Sequence, residues 1–226
     1  MRLRPVEPEV PAWERIGDAG LQSRLESVMG VSPTRLVLID GRSGAGKTTW
    51  AERIASILEG AVVVHTDDLS WKHDAFAWDD LLLRHLIGPW RRNEAVSFVP
   101  PGWVTCHRSG SIELEPAPTL IVEGVGAGRV TLAREAEATI WVQSDRDAAH
   151  RHGIERDIEL GRTPAEAQNF WNEWMADEDP FQDASAPWSR ADLILRGTAS
   201  EPAEHGWGHV APGPLPERQD APLGLR

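Results

Sequence analysis

The chain has 226 residues, 41% hydrophobic and 26% charged, with a formal net charge of −12 at neutral pH. That length suits one sizeable α/β domain with attachments, and the acidic balance excludes the broad basic face that DNA or RNA binding needs, so any phosphate site must be local. The sole cysteine, Cys106, excludes an intrachain disulfide, and no stretch approaches the ~18 apolar residues of a membrane span, so a cytoplasmic setting with no nucleic-acid or membrane partner is expected.

In chain order, residues 1–12 are rich in Pro and Glu and read as loose. Trp13, Ile16, Leu21, Leu25 and Val28 recur at helical spacing, which predicts a helix over 13–29. Residues 30–34 break it, and the apolar run 35–40 has the composition of a buried parallel strand. A glycine loop follows, then a helix over about 46–58 with Trp50, Ile54 and Ile57 on one face and Gly60 as its stop. A second buried strand at 61–65 leads into Thr66-Asp67-Asp68, and 78–92 reads as an amphipathic helix. Between 95 and 115 lie shorter β-like pieces broken by Pro100-Pro101-Gly102, a hairpin-like insertion.

Strands at 119–123 and 138–142 come next, then helices at 145–160 and 164–177 and a last strand at 192–195. Alternating strands and helices imply an α/β fold with a mostly parallel sheet covered on both faces. From Ala199 onward Pro, Gly and Glu dominate without periodicity, which predicts a flexible tail. The expected organisation is an N-terminal extension with a helix at 1–34, a core domain at 35–198 and a tail at 199–226. The core domain carries the insertion at 95–116 and a helical region at 145–178.

Gly41 to Thr48 fits G-x-x-x-x-G-K-[ST] and sits where the chemistry requires it, after a strand and opening a helix. Its glycines let successive backbone N–H groups turn toward phosphate oxygens, and the helix N-terminus adds a favourable dipole. Gly41, Ser43, Gly44, Ala45, Gly46, Lys47, Thr48 and Thr49 are therefore the expected ATP-phosphate site, with Lys47 reaching the β/γ-phosphates and the Thr48 hydroxyl on Mg²⁺. The competing reading is an ordinary glycine turn. Lysine occurs only at Lys47 and Lys72, and arginine supplies the rest of the 23 basic residues, so a lysine at this one place is hard to ascribe to composition.

Asp67 and Asp68 follow the second strand, at the sheet edge where open α/β folds bind ligands. Asp67 is assigned as the carboxylate that receives an acceptor hydroxyl's proton, with Asp68 as competitor and a helix cap as the bland alternative. Glu123 ends the third strand and is assigned to Mg²⁺, against a structural carboxylate. Gly124-Val125-Gly126-Ala127-Gly128 fails the dinucleotide pattern, because its third glycine would be Arg129, and reads as a tight turn. Arg146, Arg151, Arg156 and Arg162 lie on a helix and the loop after it, where Arg can clamp phosphate; Arg156 and Arg162 are the chosen pair, with a solvated helix face as the alternative.

With those residues in hand, the chain resembles the uridine kinase family, which belongs with phosphoribulokinase and pantothenate kinase among P-loop kinases. The likeness runs from about Leu36 to Gly197. It is carried by Gly41–Thr49, Thr66-Asp67-Asp68, Asp74-Ala75-Phe76 with Trp78-Asp79, and Ile121-Val122-Glu123-Gly124. Arg156-Asp157, Gly161-Arg162 and Ala191-Asp192-Leu193-Ile194 extend it. The resemblance implies a P-loop NTPase three-layer sandwich with a β insertion and a helical lid, transferring the γ-phosphate of ATP with Mg²⁺ to a hydroxyl of a small, nucleoside-like acceptor; homo-oligomer formation is compatible with it. It also implies that Arg156 and Arg162 act from the lid.

The chain departs from the family pattern on the acceptor side. It contains no tyrosine, its histidine in Thr105-Cys106-His107-Arg108 is displaced by one position, and His152-Gly153 stands where the family doubles an arginine. Trp71, His73, Phe76, His107 and Arg108 are the candidate acceptor residues, since a sugar or base needs stacking surface and a few polar contacts. Core packing is the competing role for the aromatics. A kinase of another metabolite, or a P-loop ATPase or regulatory nucleotide-binding protein, stays open.

Overall fold

A computed structural model describes residues 1–71, 74–197 and 206–216. Its elements in chain order begin β1 (Glu14–Gly17), α1 (Asp18–Met29), β2 (Arg35–Gly41), α2 (Lys47–Ile57), β3 (Ala61–His65), α3 (Thr66–Ser70) and α4 (Asp79–Leu82). A π-helical turn (Leu83–Ile87), α5 (Gly88–Arg91), β4 (Val96–Phe98), α6 (Pro101–Thr105), β5 (Ile112–Leu114), β6 (Thr119–Glu123) and α7 (Val130–Ala133) follow. Then come β7 (Ala138–Gln143), α8 (Arg146–Glu159), α9 (Pro164–Ser185), β8 (Leu193–Arg196) and β9 (Trp207–Pro212).

Every residue of β6 and β7 is buried, as is β2 beyond Arg35, which is why these strands are continuous apolar runs without alternation. They form a seven-stranded sheet in the order β1-β9-β8-β7-β2-β6-β3. β3, β6, β2, β7 and β8 are parallel, and β9 and β1 run antiparallel at one edge. Alternate β2 side chains feed opposite layers. Val37 and Ile39 join α1 and α2 around Leu25, Trp50 and Ile54, whereas Leu36 and Leu38 join Leu82, Leu86, Trp90 and Leu132. Fully burying each such side chain contributes roughly 1.5–3 kcal/mol.

β2 has β6 on one side and β7 on the other, so the chain reverses its direction of sheet growth there, and the crevice beyond its C-terminal end is where such sheets bind ligands. The register levels the strand ends: His65 pairs with Glu123, and Ile39 with Glu123 on the other side.

Several expectations are corrected. Residues 14–17 are a strand, not the first turn of a helix, because β9 offers them a partner nearly 200 residues away, which local periodicity cannot register. That same β9 lies in the stretch expected to be a tail from 199 onward. Val210 is buried in the layer around Leu25, Trp50 and Ile54, and Ala211 closes a third cluster with Val10, Trp141 and Trp188. Residues 198–205 and 217–226 lie outside the described residues. Nor is the segment 1–12 loose, since Glu7 and Val10 are buried.

The helix expected at 78–92 contains a π-helical turn directly ahead of Pro89, whose ring nitrogen cannot donate to the preceding turn. Pro100-Pro101-Gly102 opens the short helix α6 between the two strands of the insertion, β4 and β5. The helix expected to stop at 177 runs on through Pro180 to Ser185.

Candidate active site

The phosphate loop follows from local chain chemistry. Gly44 and Gly46 adopt φ of 74° and 92°, and a Cβ at Gly44 would lie 2.0 Å from the Ala149 carbonyl oxygen of α8, so no side chain fits there. Lys47 is largely buried at the start of α2 and donates from Nζ to the Arg42 carbonyl at 3.1 Å, which holds its ammonium inside the loop. These turned amides, the helix start and one ammonium are donors suited to a polyphosphate.

Beside them the strand ends converge. The Thr48 hydroxyl donates to Glu123 Oε1 at 3.0 Å, and His65 Nδ1 lies 2.6 Å from the same oxygen. Burial pushes the Glu123 carboxyl up, but the bonds from His65 and Thr48 and the Lys47 charge outweigh it, and the group sits below the ordinary carboxylate value. The Glu123 bond in turn holds the His65 imidazole above its ordinary value, against its partial burial. A hydroxyl and an ionised carboxylate meeting at one point are hard oxygen donors that fit Mg²⁺. Among the described residues no cluster of three or more acidic, His or Cys side chains could hold a metal ion. Gly124, next in the chain, has φ 146° and approaches so closely that a Cβ would fall 1.7 Å from Thr66 Oγ1.

Asp67 stands exposed in the first turn of α3, with no side-chain partner among the described residues. Asp68 is engaged: its Oδ1 accepts from Arg108 at 3.0 Å, and its carbonyl accepts from Trp103 Nε1 at 2.8 Å. The Arg108 guanidinium lies 3.6 Å over the Trp103 ring and 5.2 Å from that of Trp71. Trp71 and Arg108 are thus brought together, with Arg108 on Asp68. Phe76 is not. It stacks at 3.9 Å on Phe181 of α9 and is held through its carbonyl by Arg129. His107 is exposed in a turn at φ 53°, and His73 lies outside the described residues.

Arg156 and Arg162 converge on the buried Asp157, at 3.2 and 3.0 Å, and no contact joins them to the phosphate loop among the described residues. Instead α9 lies over that loop. Glu178 Oε1 accepts the Ser43 backbone N–H at 3.0 Å, and Trp174 Nε1 donates to Ser43 Oγ at 2.8 Å. Asp179 and Asp183 each take Arg42 at 3.1 Å, and Gln182 donates to Asp40 at 3.0 Å. Asp40 also accepts the backbone N–H groups of Gly126 and Gly128, both at 2.9 Å, so the amides of the glycine turn serve a structural carboxylate. The N-terminal segment adds Glu7, 3.2 Å from Arg42 and hydrogen-bonded to Trp141, and Arg4, paired with Asp179 and Asp183.

Sequence reasoning missed His65, Arg42, Trp174 and Glu178. His65 had a signal, a histidine ending a strand level with Glu123. The α9 residues had none: Glu178 lies past the helix end expected at 177, ahead of Asp179-Pro180, where the residue before a proline is biased away from helix, and Trp174 lies inside the expected helix with no local feature that points to Ser43.

A parallel sheet whose central strand runs into this loop, with Thr48 and Glu123 facing each other beyond it, defines the P-loop nucleotide-binding class. No protein-family model matches the chain. It is 30% identical over 152 residues to the uridine kinase of Macrococcus caseolyticus, an overlap of 59% of this chain and 74% of that one. With the nicotinamide riboside kinase of Eremothecium gossypii it shares 37% identity over 76 residues, 34% of this chain and 30% of the other. A possible uridine kinase from Bacillus stearothermophilus shares the fold, with a TM-score of 0.50 at 16% identity over 77% of this chain and 98% of that one. The chain belongs to the uridine kinase-like family of P-loop kinases.

Proposed function

We propose that this protein transfers the γ-phosphate of ATP to a hydroxyl of a small nucleoside-like acceptor. The observation that carries this reading is the meeting of Thr48 and Glu123 at 3.0 Å, with Asp67, which has no side-chain partner among the described residues, in the first turn of the helix after β3. Bound Mg-ATP supplies the transferable phosphoryl group and the cation that offsets its charge. The chain's own residues do the rest. The amides of 43–49 and the Lys47 ammonium bind and orient phosphate oxygens, and Thr48 and Glu123 hold the cation. Asp67 accepts the proton of the acceptor hydroxyl; with Asp68 tied to Arg108, Asp67 is the carboxylate left for this task. Trp71 and Arg108, with Trp103, offer the acceptor a stacking surface. Arg156 and Arg162 would have to leave Asp157 to stabilise charge on the moving phosphoryl group.

The test is ADP release from ATP with and without a panel of nucleosides, sugars and pantothenate-like alcohols. Stimulation by nucleosides supports the reading. Stimulation by another alcohol alone moves the acceptor class, and acceptor-independent turnover makes the protein an ATPase.

A further inference from the structure

α9 aligns Trp174, Glu178 and Gln182 at successive four-residue steps, one face of the helix, and each touches residue 40 or 43. Of these, Glu178 differs in kind. It is a carboxyl group, wholly buried, and it accepts a backbone N–H of a loop whose amides otherwise suit an anion from outside. Its neighbours on α9 do not do this: Asp179 and Asp183 take the Arg42 side chain. Burial pushes the Glu178 carboxyl up, while Lys47, the Ser43 bonds and Arg42 pull it down. The charges that oppose its protonation are those of the phosphate loop itself.

We propose that Glu178 is an internal occupant of the phosphate loop, which the phosphates of a nucleotide displace, so that nucleotide entry and movement of α9 are one event. This rests on the reading of 41–49 as the nucleotide site. One N–H serves one strong acceptor, and a buried carboxylate beside a polyphosphate is repelled by it. The link extends to the acceptor side, because α9 also carries Phe181, stacked on Phe76. Displacing the helix frees the 74–78 segment to meet an acceptor after the nucleotide has bound.

Calorimetric titration of the full chain with ADP tests this. Glu178→Gln keeps the shape and removes the charge, and is expected to bind ADP about tenfold more tightly than the parent chain. Trp174→Phe keeps the charge but removes the indole N–H shared by Ser43 and Glu178, and is expected to bind a few-fold more tightly; it decides the matter alone if Glu178→Gln does not fold. Unchanged or weaker ADP binding in the folded variants overturns the proposal, because a carboxylate that merely shapes the loop would weaken binding when lost. Absence of ADP binding in the parent chain overturns the nucleotide site itself, a distinct outcome.

Discussion

His65 Nδ1 and the Thr48 hydroxyl share one oxygen of Glu123, at 2.6 and 3.0 Å, so α2, β3 and β6 are joined through a single buried carboxylate. Removing the imidazole leaves that carboxylate with one hydrogen-bond donor. His65→Ala is expected to lower the melting temperature by roughly 2–10 °C, from the cost of a buried carboxylate losing a hydrogen-bond partner. Thermal unfolding without nucleotide measures it, and an unchanged midpoint would show that Glu123 does not depend on His65.

Asp67→Asn is expected to lower kcat by about 100-fold or more while leaving ADP affinity within about twofold. Asp68→Asn, which only releases Arg108, is expected to act mainly on acceptor KM. Full activity of the Asp67 variant in the ADP-release assay would remove Asp67 from the chemistry.

Lys47→Ala removes the only ammonium in the loop and is expected to lower kcat/KM for ATP by about 100-fold or more, as loss of a preorganised charge donor does elsewhere. Steady-state kinetics at varied ATP checks this, and unaltered turnover would separate the loop from catalysis.

Arg42 holds three carboxylates, those of Glu7, Asp179 and Asp183, at 3.1–3.2 Å. Arg42→Ala leaves the buried Glu7 without its cation, while Asp179 and Asp183 keep Arg4, and is expected to cost about 3–5 kcal/mol. The loss has a pH signature. Burial raises the Glu7 carboxyl above its ordinary 4.5 and Arg42 opposes the rise, so without Arg42 it rises further. A carboxylate raised on folding contributes stability below its unfolded value and loses it as pH climbs through the folded value. The variant's stability should therefore fall more steeply than the parent's between pH 4.5 and neutrality, measured by urea midpoints. Parallel pH profiles would contradict it.

Gly124→Ala drives a Cβ to 1.7 Å from Thr66 Oγ1 and is expected to destabilise severely. Adding Thr66→Ala removes that atom and should recover part of the loss, the left-handed backbone strain remaining. An additive double-mutant cycle would dissociate the two residues.

The parallel core was legible because buried parallel strands announce themselves as unbroken apolar runs; 35–40, 119–123 and 138–142 need no tertiary information. The loop was legible because its function is local, seven amides and a lysine in succession. Glu178 on Ser43 and β9 on β1 were not, since each joins residues more than 130 apart, and each lies in sequence that local rules assign elsewhere: one just past the helix end expected at 177, the other in a Pro/Gly-rich stretch. Of the residues expected around an acceptor, Trp71 and Arg108 meet, whereas Phe76 faces α9, a choice made by Phe181, whose own position depends on the misread helix end.

The pairing of β9 with both β8 and β1 has a practical consequence for handling the protein. Its composition invites trimming after residue 197 to obtain a tidier domain. Doing so would bare the backbone edge of β8, leave β1 without a neighbour and open the cluster around Trp141 and Trp188 to water. An unpaired apolar edge is a template for other chains, so the shortened protein is expected to aggregate where the longer one stays dispersed.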